Sequence, residues 1–122
     1  TEIELINFIK MIIKKSRKKL LITTGIRLPK IMKKIKPLLR ELEIEIYEDL
    51  NFYHLEKITS KSSILISCHG AISHVAAANN IRQIDIIDKS YDYGKWTGHF
   101  RNYKPLYRDS FNFLSNKIVE LI

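Results

Sequence analysis

Residues 63–87 read SILISCHGAISHVAAANNIRQIDII. Two apolar, β-branched runs, Ser63 to Ser67 and Gln83 to Ile87, flank an Ala-rich segment from Ile72 to Ala78. Short apolar runs bounded by turn residues read as buried strands, and the Ala-rich segment between them reads as a helix. Gly70 breaks the chain after the first strand, and Asn79-Asn80 stops the helix. Strand, helix and strand in that order form a βαβ unit, whose strands run parallel.

The same alternation extends toward the amino terminus. Leu5, Ile9, Ile12 and Ile13 recur at helical spacing with lysines between them, which predicts an amphipathic helix over 2–18. Leu20 to Thr24, closed by Gly25, predicts a buried strand. Pro29 suits the first turn of a helix with a core stripe of Ile31, Ile35, Leu38, Leu39 and Leu42. Pro37 falls inside that stripe and is expected to kink the helix or end it early. Ile44 to Tyr47 reads as another strand, residues 52–60 as a short helix, and 110–121 as a last helix on Phe111, Leu114, Ile118 and Leu121. The segment 88–109 carries no clear period and is rich in aromatic residues. The expected fold is therefore α/β: a three-layer, Rossmann-like single domain over 1–122. Its parallel sheet would hold about four strands in the order 2-1-3-4, with helices on both faces.

Composition narrows the function classes. A hydrophobic fraction of 45% in 122 residues is enough for one core and argues against disorder. No run approaches the roughly 20 apolar residues that cross a bilayer. Cys68 is the one cysteine, so an internal disulfide framework is excluded and a reducing, cytoplasmic compartment is expected. With no initiator Met, the chain is expected to be part of something longer.

The net charge of +8 is unevenly spread, with 12 Lys and Arg against 2 Asp and Glu in residues 1–40. The rest of the chain holds 9 against 11. That excess reads either as a solvated helix face or as a surface for an anionic partner, a membrane among them. No aromatic residues are interleaved with these lysines, so nucleic acid is not the expected partner.

Ligands of open parallel sheets sit outside the carboxyl ends of the strands. Three turns hold such positions: Thr23-Thr24-Gly25, Ser67-Cys68-His69-Gly70 and Asp88-Lys89-Ser90. The second is the richest. Gly70 permits a tight turn or a close backbone approach to a ligand. The helix that follows directs free amides and its positive dipole end above the sheet, a seat for phosphate. His69 and His74 flank the turn as donors to phosphate or sugar oxygens, the alternative being histidines satisfied within the fold. Cys68, ending an apolar strand, reads as inert and buried rather than catalytic. The four histidines and the cysteine have no recognised metal-ligand spacing, and neither a P-loop nor a nucleophile elbow is present. In the aromatic segment, Trp96 and Arg101 could stack a base or sugar and pair with phosphate, or simply pack the last helix.

The run from Leu55 through Ile87 resembles the carboxy-terminal half of a GT-B glycosyltransferase, closest to the heptosyltransferase group, glycosyltransferase family 9. That family has a short helix, an apolar strand, an Asp-Ser/Thr-Gly-x-x-His turn opening an Ala-rich helix, and another strand. The resemblance implies that Ser67, His69, Gly70, Ser73 and His74 bind a nucleotide-sugar donor, with Gly70 at the pyrophosphate. Thr24 and Gly25 would approach the nucleoside. It implies no cofactor beyond that substrate, and a role in surface polysaccharide or lipopolysaccharide synthesis. It also implies an amino-terminal acceptor domain that supplies the catalytic base, and a cytoplasmic location at the inner membrane face, with residues 1–40 toward the lipid. Cys68 stands where the family has Asp, and Gly70 and His74 are spaced Gly-x-x-x-His. Two other readings remain: a non-catalytic, flavodoxin-like binding domain, and a basic nucleic-acid-binding domain.

Overall fold

The computed structural model describes residues 1–25, 27–90 and 97–122. The chain packs as two compact units, one of residues 1–50 with 115–122 and one of residues 51–114.

In the first unit, α1 (Glu2–Ser16) starts at a capping box: the Thr1 hydroxyl accepts from the Glu4 amide at 3.2 Å, and Thr1's ammonium meets the Glu4 carboxylate at 2.8 Å. Hydrogen bonding to that ammonium, and then to the Thr1 side chain, holds the Glu4 carboxyl below its ordinary range. The helix stops at Arg17, whose φ of 55° is left-handed and whose amide closes on the Ile13 carbonyl. β1 (Leu21–Thr24) and β2 (Glu45–Glu48) pair in parallel, Leu21 opposite Glu45 and Thr24 opposite Glu48. α2 (Lys30–Glu41) is the crossover between them. Ile9, Met32, Ile35, Leu39 and Ile44 form the buried core, which Leu5, Ile22 and Ile46 extend. Lys15 donates to the Val119 and Glu120 carbonyls, which fastens the end of the last helix within this unit.

α2 does not end early at Pro37 but continues through it to Glu41. Pro37 is exposed, while Ile35 and Leu39 on either side of it are almost fully buried. Apolar burial on that face outweighs the missing amide and the clash with the preceding turn. Pro37→Ala is accordingly expected to stabilise the protein by about 1–3 kcal/mol, read from urea unfolding. No change, or a loss, would show that the helix is already relaxed around the ring.

The second unit holds α3 (Phe52–Ser60), β3 (Ile64–Cys68), α4 (Ala71–Ala78), β4 (Arg82–Ile87) and β5 (Tyr103–Tyr107). α5 (Phe111–Leu121) begins here and ends in the first unit. Asn51 caps α3 by accepting from the His54 amide at 2.9 Å. The three strands form one parallel sheet with β4 central, and Ser67, Asp85 and Pro105 lie in register across it. Small side chains bring α4 against the sheet: Ser73 and Ala76 are fully buried.

Two expectations are corrected here. The four strands expected in one sheet fall in a two-stranded and a three-stranded sheet. Pairs joined by a single helix, 1 with 2 and 3 with 4, are adjacent as expected, because the crossover itself dictates that pairing. Adjacency of 1 and 3 depends on long-range packing that hydrophobic period does not encode. The second correction is β5, which lies in the segment read as irregular. Pro105 hides it, since proline demotes a run as a strand, yet among the described residues β5 pairs on only one side, and an edge strand tolerates the missing donor. The supported statement of fold is therefore mixed α/β with two small parallel sheets. Among the described residues no helix is long and apolar enough to cross a membrane.

Candidate functional site

The junction between β3 and α4 lies at the carboxyl end of the three-stranded sheet. Side chains alternate along a strand, so Ser67 and His69 share a face with Gln83 and Asp85, the face that α4 covers. Asp85 sits on the central strand with none of its side chain exposed. A buried carboxylate needs donors to replace water, and three side chains supply them. Nδ1 of His69 lies 2.6 Å from Oδ2, the Tyr103 hydroxyl donates to the same oxygen at 2.7 Å, and the Ser73 hydroxyl donates to Oδ1 at 3.2 Å. Ser73 in turn accepts from the Gly70 amide at 3.3 Å, and its carbonyl accepts from Nε2 of the fully buried Gln83 at 3.1 Å. The polar centre thus ties β3, α4, β4 and β5 together.

The hydrogen bond to Asp85 also sets the chemistry of His69. With the carboxylate accepting, Nδ1 carries the proton, and Nε2 is the lone-pair nitrogen of the neutral ring. The His69 amide donates to the Ile86 carbonyl at 3.0 Å, which fixes its backbone to β4 as well. His69 is therefore positioned at both ends, with 15% of its side chain exposed.

Gly70 is extended, with φ −179° and ψ −169°, so the turn does not depend on a left-handed residue. Of the two roles open to this glycine, the tight turn is not the one found. A Cβ placed at Gly70 would meet no atom within 4 Å, which leaves clear space above its Cα for a close approach. The Ser73 amide is satisfied by the Gly70 carbonyl at 3.0 Å, while the amides of Ala71 and Ile72 precede the first helical hydrogen bonds.

His74 is exposed, with its ring edge-on to His69 at 5.8 Å and to Phe100 at 5.1 Å. It is not a buried histidine capped by a carbonyl. Arg101 shares a surface hollow with His74, His99 and Phe100. Ser67 presents a buried hydroxyl that has no partner among the described residues. Thr24 and Gly25 end β1 in the first unit, where the Thr24 carbonyl accepts from the Asp49 amide at 3.2 Å. Trp96 lies outside the described residues. Cys68, expected to be buried, is exposed: as the last residue of β3 it extends past the covered stretch of sheet.

The third turn has its own order. The Asp88 carboxylate accepts from the Ser90 amide at 3.0 Å and the Ser90 hydroxyl at 2.9 Å, and these bonds hold its carboxyl below the ordinary range. A depressed carboxyl stabilises the turn above the ordinary aspartate range, and the effect disappears as pH falls through the lowered value. Ser90→Ala is expected to return the Asp88 titration toward the ordinary range, followed by carboxyl NMR. The return is expected to be partial, because alanine keeps the amide bond, the larger of the two causes; an unmoved titration would mean that the Ser90 hydroxyl makes no contribution.

Asp85 and Tyr103 were not legible as site residues. The signal for Asp85 was present, because an aspartate inside the apolar run Gln83 to Ile87 must find buried donors. Tyr103 carried no comparable mark. Among the described residues no three His, Cys, Asp or Glu side chains converge as metal ligands. Comparison of the chain with family models, with curated proteins and with solved structures finds no match.

Proposed function

We propose that this chain is the nucleotide-sugar-binding domain of a GT-B glycosyltransferase acting in surface polysaccharide or lipopolysaccharide synthesis. The observation that carries the reading is the β3–α4 junction, with open space over Gly70 at the carboxyl end of a parallel strand and unspent helix amides beside it. The donor's pyrophosphate lies over Gly70 and accepts from the amides of Ala71 and Ile72, with the α4 dipole favouring its charge. His74 donates from the rim, and Nε2 of His69 accepts from a ligand hydroxyl. As the glycosidic bond to the diphosphate breaks, negative charge builds on the leaving group. The same amides then stabilise it more strongly than in the ground state.

An acceptor-binding domain supplies the base, so the chain alone binds donor without transferring sugar. The lysines and arginines of residues 1–40 face the anionic lipid of the inner membrane surface from the cytoplasmic side.

Thermal shift assays with ADP-, UDP-, GDP- and CMP-sugars test the reading. One of the four is expected to raise the melting temperature in a saturable manner. If none does, the site assignment fails.

A further inference from the structure

A hollow of about 480 Å³ opens beside α4, sharing His74 with the Gly70 junction but not Gly70 itself, and three basic side chains line it: His74, His99 and Arg101. Among the described residues no Asp or Glu lines it, and Arg101 has neither an ion pair nor a hydrogen bond. The two imidazoles are held by one phenyl ring: His74 stands edge-on to Phe100 at 5.1 Å and 87°, and His99 at 4.9 Å and 80°. Phe100 is itself braced edge-on by Tyr103 at 5.4 Å. Ala77 and Ala78 also line it, with side chains too small to fill it.

One competing role for Arg101 is to cap the end of α4. That role is already filled, because the Val75, Ala76 and Ala77 carbonyls accept from the amides of Asn79, Ile81 and Asn80. The guanidinium is thus a permanent charge with a planar fork of donors and no partner among the described residues. Its natural partner is a carboxylate or phosphate. The volume lies in the range of small-molecule sites, and the phenyl ring offers an apolar surface to the C–H face of a sugar.

We propose that this hollow is an oxyanion subsite that binds the phosphate or carboxylate of a sugar-sized ligand through Arg101, His99 and His74. The proposal goes beyond the nucleotide-sugar reading and does not rest on it, since its ligand needs no nucleotide.

The experiment titrates the full chain with glucose 1-phosphate, glucuronate, glucose and inorganic phosphate, following the His74 and His99 imidazole signals by NMR. Saturable shifts are expected with glucose 1-phosphate, with glucuronate or with both, and whichever binds identifies the anion. Glucose is expected to cause none. Arg101→Gln and His99→Gln, both at exposed positions and checked for unchanged melting temperature, are each expected to weaken binding at least tenfold. Silence with both acidic sugars, equal binding of glucose, equal binding of inorganic phosphate, or affinity unaffected by Arg101→Gln would each overturn the proposal. Loss of nucleotide-sugar binding in Gly70→Val leaves this result untouched, so the two sites fail separately.

Discussion

Asp85→Ala is expected to lower the unfolding free energy by about 3–5 kcal/mol, the usual cost of removing one partner from a buried charged network. The loss has a specific origin. Three side chains from three elements donate to this carboxylate: His69 after β3, Ser73 on α4 and Tyr103 on β5. Removing the acceptor leaves these groups without their buried partner, at roughly 1–3 kcal/mol for each unsatisfied group that water cannot reach. Asp85→Asn preserves volume and one accepting oxygen, so its loss is expected to be smaller. Its amide nitrogen, however, is a donor set against other donors. Urea unfolding monitored on the second unit measures both variants, and nitrogen NMR of the imidazole reads which ring nitrogen of His69 is protonated. Wild type is expected to show the Nδ1-protonated tautomer, and Asp85→Asn to lose it. A cost below about 1 kcal/mol for Asp85→Ala, within the ordinary range of surface substitutions, would mean that the network does not hold the sheet together.

Gly70→Val is expected to abolish the response to the nucleotide-sugar while leaving the fold in place. The two effects separate because the protein itself makes no demand on this position. The backbone is extended there, and a Cβ meets nothing within 4 Å. The stability cost is therefore expected to stay within about 1 kcal/mol, the scale of exchanging one helix-capping residue for a poorer one. A ligand that uses the space over Gly70 meets the isopropyl group directly and loses its approach to the Ala71 and Ile72 amides. Charge-assisted hydrogen bonds of that kind are worth about 1.5–3 kcal/mol each, so losing two weakens binding by at least two orders of magnitude. Titration calorimetry on both proteins measures this. Unchanged affinity in Gly70→Val would place the donor elsewhere.

The sequence made the local elements legible where one physical signal dominated. Leu21 to Thr24, Ile64 to Cys68 and Arg82 to Ile87 are strands because β-branched runs between turn residues have no competing periodicity. The parallel pairing of β3 with β4 followed from the single helix between them. Where signals competed, the reading failed. Pro37 argued for a break in α2, but burial of Ile35 and Leu39 prevailed; Pro105 argued against a strand, but an edge position removed the objection.

The site was half legible for the same reason. His69, Gly70, Ser73 and His74 lie close in sequence, so one turn brings them together. Asp85 and Tyr103 reach the same point from separate strands, 16 and 34 residues beyond His69, and only the sheet register unites them. The exposed Cys68 shows the limit of arguing burial from an apolar run: the last residue of a strand sits where its cover ends.

The central claim is that α4's first amides receive the donor's diphosphate. Amide NMR of the full chain during titration with the nucleotide-sugar that gives the thermal shift tests it most directly. Saturable shifts concentrated at Gly70, Ala71 and Ile72 are expected, absent when the corresponding neutral sugar replaces the nucleotide-sugar. Saturable binding that leaves those three amides unmoved would contradict the account.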